Sequence, residues 1–377
     1  MAISAPKVAI VHDWLTNLGG AERVVEAMHQ AFPEAPIYTS VYNPEKLKIL
    51  SDAKVKTSYL QHWPLAKHKH QLYPALRAQA FESFDLSEYE VVISSSSAEA
   101  KGVVTPTETL HISYIHTPTR YYWSGYEQYL AEPGYGLLNP VARVGLKHLV
   151  RKMRRWDYAA AQRPDILLAN SKTVQVRIEE YYKRKSGVLY PPVNLERFEN
   201  IRSQEDGYYL VVSRLVPYKK VELAVEACMR LRRRLVVVGD GPELKRLRKI
   251  AGSTIEFRGF LSDEQTEQLL CGCKAFVFAA EEDFGITPLE AMACGKPVIF
   301  FNRGGASETV IDGKTGVGFL SQNANSLIAA IKSFEKLKID PRDCVAQAHK
   351  FGGNQRFVGQ LRDFVEGKLR EKGQTAT

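Results

Sequence analysis

Residues 275–301 read AFVFAAEEDFGITPLEAMACGKPVIFF, and the order of residue types in this stretch decides the fold. Ala275–Phe278 is a short run that is apolar on both faces, as a strand buried in a parallel sheet has to be. A polar loop follows. Thr287 then reads as an N-cap, with Pro288 at the first helical position and Glu290 at the third, and the helix runs to about Cys294 before Gly295 stops it. Val298–Phe301 is the next strand. Strand, loop, helix and strand in this order make a βαβ unit. Its loop–helix turn aims backbone N–H groups and a positive helix end at whatever lies beyond the strand ends, which suits a diphosphate or a polar sugar.

The same grammar extends in both directions. Tyr209–Val212, Leu235–Val238 and Ile255–Phe257 are further strands of the second half. In the first half Val8–Val11, Val91–Ile93, Ile112–Ile115 and Ile166–Ala169 alternate with helical spacing such as Ala21, Val24, Val25, Met28 and Phe32, which Pro33 ends. Tyr190-Pro191-Pro192-Val193-Asn194 breaks all periodicity and reads as a linker. The expectation is an α/β protein of two facing Rossmann-like domains, 1–190 and 199–352, with a linker at 191–198 and ligands bound in a cleft at the strand ends. Tyr59–Phe84 mixes aromatic and basic residues and is either an internally packed helical excursion or a surface for an acceptor or membrane.

Bulk composition agrees with two domains: 377 residues, 45% hydrophobic and 25% charged. No apolar run approaches the roughly 20 residues of a membrane span, and Met1–Pro6 has no signal-peptide layout, so a cytoplasmic location is expected. The five cysteines, Cys228, Cys271, Cys273, Cys294 and Cys344, read as reduced core thiols. A formal net charge of +9 implies an anionic partner. Part of it lies in residues 143–155, where Lys147, Arg151, Lys152, Arg154 and Arg155 share a helical pattern with Leu146, Leu149, Val150 and Met153. This basic amphipathic helix is either a solvated helix packed by one face or a contact for anionic lipid.

Four groups of residues carry chemistry. Glu282 precedes Glu290 by eight positions through a Phe-Gly loop containing Asp283, Phe284, Gly285 and Ile286. Glu290 also fits a Thr-x-x-Glu capping box, whereas Glu282 has no such local role. Arg214 and Lys219 flank the loop after Tyr209–Val212, where two cations can converge on a departing diphosphate. Without a persuasive Asp-x-Asp pair for a divalent ion, these cations are the natural substitute and no metal is expected. Gly19-Gly20, between the first strand and the first helix, lets backbone approach a ligand closely. His116 ends the strand Ile112–Ile115 and either contacts a sugar hydroxyl, assists proton transfer, or caps the Pro118 turn. Arg120, Tyr121 and Trp123 follow it, and His12-Asp13 occupies the comparable end of the first strand.

From HDWLTNLGGAERV through SRLVPYKK and VVGDGPEL to EEDFGITPLEAMACGKPVIF, the chain resembles family 4 of the retaining glycosyltransferases, which have the GT-B architecture. The resemblance implies that Arg214 and Lys219 bind the donor diphosphate and Glu290 the ribose. It implies that Glu282 contacts the donor sugar, and that Asp283, Phe284, Gly285 and Ile286 line the same donor site. Gly19 and Gly20 are implied at the diphosphate, Arg258-Gly259-Phe260 at the base, and His116 near the reacting centre. Asp13, His116, Arg120, Tyr121 and Trp123 are assigned to the acceptor, and a final helix (353–377) is expected to return to the first domain, with Phe357, Leu361, Phe364 and Val365 on one face. Lys220, where glycine is common, and Ala279, where serine is common, depart from the pattern. HTPTRYYW and VPYKK are similar to bacterial enzymes that move mannose from GDP-mannose to lipid-linked O-antigen or exopolysaccharide intermediates.

The resulting expectation is retaining, metal-independent transfer of a hexose from a nucleotide sugar to a saccharide or polyprenyl-diphosphate-linked saccharide, with no cofactor. The enzyme is expected in the cytoplasm or on the inner face of the plasma membrane. A UDP-sugar donor, a nucleotide-sugar epimerase and a non-enzymatic anionic-surface binder are the rival readings; nucleic acid is not an expected partner, because no recognised module is present.

Overall fold

The computed structural model describes residues 6–64, 66–69, 73–131, 139–198 and 206–375. The chain divides into two compact units, one of Met1–Pro191 with Gln355–Thr377 and one of Pro192–Asn354.

The first unit is built on a seven-stranded parallel sheet. Its strands are β1 (Val8–His12), β2 (Ile37–Thr39), β3 (Val55–Thr57), β4 (Val91–Ser96), β5 (Leu110–Ile115), β6 (Ile166–Ala169) and β7 (Gly187–Val188), in the spatial order β3-β2-β1-β4-β5-β6-β7. The central strands are buried throughout, and Val8–Val11 and Val91–Ile93 stand out in the sequence as apolar runs, whereas β4 ends in three serines and β5 carries His111 and Ser113. β2, β3 and β7 have two or three residues each, too few to show a pattern. The Asn354–Thr375 helix belongs to this unit: Phe357, Val358, Leu361 and Val365 are buried in one core with Val24, Met28 and Ile112. Over Tyr59–Phe84, short helical pieces at Tyr59–His62, Ala66–Lys69 and Pro74–Glu82 bury Leu60, Ala66, Ala80 and Phe81, which selects internal packing for the described part of that stretch.

The second unit has six parallel strands, β8 (Tyr209–Val212), β9 (Leu235–Val238), β10 (Ile255–Gly259), β11 (Ala275–Phe278), β12 (Val298–Phe301) and β13 (Gly316–Phe319), in the order β10-β9-β8-β11-β12-β13. β13 carries glycine at 316 and 318 in place of an apolar run, because a Cβ on Gly316 would lie 2.1 Å from the Val298 carbonyl oxygen. Within the expected linker at 191–198, Val193, Leu195 and Phe198 are buried, and Leu195 packs where a Cβ on Gly352 would stand. Two expectations are corrected here. Cys271 and Cys294 are not separate thiols but form a disulfide, with Cα atoms 5.0 Å apart, while Cys228, Cys273 and Cys344 are buried and lie outside it. The helix of the deciding stretch spans Ile286–Ala293 with Gly285 as its N-cap, so Thr287 caps nothing and the capping box is absent.

Candidate active site

In the second unit, chain order reverses between β8 and β11, which are neighbours in the sheet although β9 and β10 intervene in sequence. The loops leaving two such strands diverge and open a crevice at their carboxyl ends. Lys219 comes from the loop after β8 and Glu282 from the loop after β11, and the two meet across this point with Nζ 2.6 Å from Oε1. Lys219, Ser213, Phe278 and Ala280 line a small recess there. Arg214 on the same loop is exposed, and its Nη2 donates to the Tyr218 hydroxyl at 2.9 Å. Lys220 has φ +54° and caps the helix Val221–Leu231. The left-handed backbone explains why glycine is common at this position of the pattern, and a lysine there costs about 1 kcal/mol of strain.

The Glu282–Gly285 loop is held from below by backbone. Gly305 N–H donates to the Glu282 carbonyl at 2.8 Å, and a Cβ on Gly305 would lie 2.2 Å from Phe284 Cα. Gln322 Nε2 donates to the Ala279 carbonyl at 2.9 Å. Phe284 is buried, near the Phe351 ring. Gly285, at φ +85°, turns the chain sharply into the Ile286 helix, whose first N–H groups receive no side-chain cap. Asp283 is partly exposed beside them. Phe260, just after β10 and Gly259, is 87% exposed, a bare aromatic face of the kind a base can stack on.

Glu290 does not cap its helix. It pairs with Arg197, whose guanidinium also lies 3.2 Å from Glu267 and 3.7 Å from Asp263. Burial raises the Glu267 carboxyl, with Arg197 opposing. Sequence reasoning missed Arg197, and no spacing signal could have found a partner 93 residues from Glu290.

The first unit's switch point lies between β1 and β4. Asp13, expected at the acceptor, is fully buried there: one carboxylate oxygen accepts from Ser97 N–H at 2.5 Å and Ala98 N–H at 3.0 Å, the other from Ala100 N–H at 2.7 Å. Both oxygens thus hold the loop after β4. Gly19 is the N-cap of the Gly20–Ala31 helix and both glycines are exposed. His116 is 9% exposed; its Nε2 lies 2.8 Å from Ser95 Oγ, and its carbonyl accepts from Asn170 Nδ2 at 3.0 Å. Burial, and next His12, hold its imidazole down to about 3. Tyr121 and Trp123 spend their polar atoms internally. The Tyr121 hydroxyl lies between Arg77 and Glu99, and Trp123 Nε1 donates to Asp157 at 2.7 Å while its ring stacks on Tyr181. Arg120 is half-buried. Two buried ion pairs unseen in the sequence, Arg77–Glu99 and Lys101–Asp157, organise this region.

The basic helix runs from Asn139 to Ala160. Val150 and Met153 pack on Ala78 and Tyr122, while Lys147, Arg151, Lys152 and Arg155 are exposed. Together with Tyr126, His148 and Arg154, three of these cations (Lys147, Arg151 and Arg155) line an open recess of ≈ 560 Å³. Among the described residues no helix is long and apolar enough to cross a membrane.

Residues 193–351 match the family model described as Glycosyl transferases group 1. This segment is a glycosyltransferase group 1 domain. About half of the chain is similar to an uncharacterized glycosyltransferase, MJ1178, of Methanocaldococcus jannaschii, with 30% identity over 48% of this chain and 52% of that protein. It is 33% identical, over 57% of this chain and 60% of the relative, to the GDP-mannose-dependent alpha-(1-6)-phosphatidylinositol monomannoside mannosyltransferase of Mycolicibacterium smegmatis. The aligned parts therefore span between half and three-fifths of these curated relatives. Among solved structures, Anabaena HepE in complex with UDP shares the fold over 96% of this chain and all of that one, with TM-score 0.69 and 18% identity. The fold, two α/β units each built on a parallel sheet, thus recurs in that solved structure.

Proposed function

We propose that the protein is a retaining glycosyltransferase that moves a hexose, mannose from GDP-mannose, onto a saccharide or polyprenyl-diphosphate-linked saccharide. The observation that carries this reading is the Lys219–Glu282 pair across the switch point of the group 1 domain. It puts a cation and a hydroxyl-binding carboxylate side by side, as a sugar diphosphate requires. Arg214 and Lys219 stabilise the departing diphosphate, with the N–H groups at Phe284, Gly285 and Ile286 adding partial positive charge. Glu282 orients the donor sugar, Glu290 the ribose, and Phe260 the base, while Gly19 and Gly20 are assigned to the diphosphate and His116 to the sugar. The bond between the anomeric carbon and the phosphate oxygen breaks with its electron pair going to phosphate. The acceptor oxygen attacks on the same face, and its proton passes to that phosphate oxygen. Glu282 and Glu290 are not a glycosidase pair. With two side-chain cations in this role, no metal or cofactor is required.

The mannose donor is favoured by the printed activity of the mycobacterial relative; a UDP sugar is the second reading. Docking on the inner face of the plasma membrane is proposed for the exposed cations of the Asn139–Ala160 helix, each contributing about 1 kcal/mol near an anionic surface.

Calorimetry with GDP, UDP and ADP, with and without EDTA, tests the proposal, with Arg214→Ala as control. Micromolar binding of GDP that survives EDTA and is lost in the variant is expected. UDP preference replaces the donor, and failure of all three nucleotides to bind overturns the transferase reading.

A further inference from the structure

At the carboxyl ends of β1, β4 and β5 three side chains form a chain: His12, Ser95 and His116. Ser95 is fully buried, and its Oγ lies 3.1 Å from His12 Nδ1 and 2.8 Å from His116 Nε2. His12 Nδ1 also lies 3.1 Å from the Ser95 carbonyl oxygen. A carbonyl oxygen can only accept, so His12 Nδ1 carries a hydrogen whatever the charge on its ring. Ser95 Oγ is therefore an acceptor toward His12 and has its own hydrogen to place. Among the described residues, His116 Nε2 is the remaining acceptor within reach. The reverse arrangement, with His116 donating from Nε2, would leave a buried hydroxyl hydrogen without an acceptor, which native interiors avoid.

We infer that Ser95 is a positioning residue that locks neutral His116 in its Nδ1–H tautomer, making His116 a fixed hydrogen-bond donor toward a ligand oxygen and not a proton acceptor. The inference rests on the proposed assignment of His116 to a sugar at the reacting centre and adds which ring nitrogen serves and in what capacity. Three further observations agree. Nδ1 has no hydrogen-bond partner among the described residues, so the donor is available. The ring is oriented by the Tyr114 edge at 5.2 Å, and the backbone behind it by Asn170. The titratable groups facing it are His12 and Tyr114; Glu22 lies beyond His12, 3.8 Å from Nε2 of that ring. None supplies a negative charge against His116 itself, and burial disfavours its protonation. A base at this position would need to take up a proton that this environment rejects.

The test is a long-range proton–nitrogen correlation spectrum of the full chain labelled with nitrogen-15, His116 being assigned by loss of its signals in His116→Gln. A protonated Nδ1 and a bare Nε2, unchanged from mildly acidic to mildly alkaline pH, are expected. Ser95→Ala should give a mixture of tautomers and lower kcat about tenfold, the effect of one misdirected hydrogen bond, and Ser95→Thr should restore both. A wild-type His116 protonated at Nε2, or one that titrates near neutral pH, overturns the inference, as does a Ser95→Ala chain with an unchanged tautomer. The spectrum needs no substrate, so it separates this idea from the transferase reading. A locked tautomer in a chain that binds no nucleotide would sink the latter while supporting the lock.

Discussion

Replacing Gly305 with alanine adds one methyl group to a place where two backbones touch. The new Cβ would lie 2.2 Å from Phe284 Cα, 2.3 Å from its carbonyl oxygen and 2.5 Å from its carbonyl carbon. Carbon atoms settle at ~3.5–4.0 Å, so one backbone must retreat by about 1 Å or more. Gly305 sits at φ −63° and ψ −25°, a conformation alanine adopts freely, so the cost is steric alone. No flexible side chain can absorb it. Overpacking of this kind costs about 1–3 kcal/mol, and loss of the Gly305 N–H bond to Glu282 adds about 0.5–1.5 kcal/mol. The expected destabilisation is about 1.5–4.5 kcal/mol. Retreat of the loop also displaces Glu282, Phe284 and Gly285, so nucleotide affinity should fall at least about tenfold, each tenfold being about 1.4 kcal/mol. Denaturant unfolding followed by calorimetry with GDP measures both effects. A Gly305→Ala chain with wild-type stability and affinity would refute the argument that this glycine sets the loop. Gly359→Ala is the control: it is helical and its Cβ meets nothing within 4 Å, so stability should rise by about 0.5–1 kcal/mol.

Other expectations can be checked with the same assays. Arg197→Gln leaves Glu290 and Glu267 facing each other without their shared cation; because these groups are partly solvated, a loss of about 1–2 kcal/mol is expected, and unchanged stability in denaturant would count against the network. Lys219→Ala should lower kcat far more than acceptor KM, and an enzyme of normal turnover would remove Lys219 from the mechanism. Arg233, then Tyr209 and Lys274, hold the Glu335 carboxyl at about 2, well below the usual carboxylate range. A depressed folded-state value means stability present above the unfolded pKa and lost as pH falls toward 2. The stability gap between wild type and Glu335→Gln should therefore be constant at neutral pH and close during acid titration; a gap that widens in acid would show the sign to be wrong.

Much of the architecture is legible in the chain before it folds. Internal strands of the two sheets are buried on both faces, so Val8–Val11, Val91–Ile93, Leu235–Val238, Ala275–Phe278 and Val298–Phe301 appear as apolar runs, and the glycines and prolines between them mark the turns. The residues at the strand ends, from His12 and His116 to Lys219 and Glu282, were locatable for the same reason: a parallel strand's carboxyl end is where its loop begins. What the chain by itself could not decide is which of those polar groups remain available to a ligand. Asp13, Tyr121 and Trp123 have the right chemistry and the right loops, yet each spends its polar atoms inside the unit on partners 22 to 87 residues away. Glu290 was ambiguous between a helix cap and a ligand contact, and only the left-handed turn at Gly285 and the arrival of Arg197 removed the cap reading. The physical reason is common to all four. Local sequence sets periodicity and turn chemistry, whereas the partner of a buried charge is set by whichever distant segment tertiary packing brings within about 3 Å.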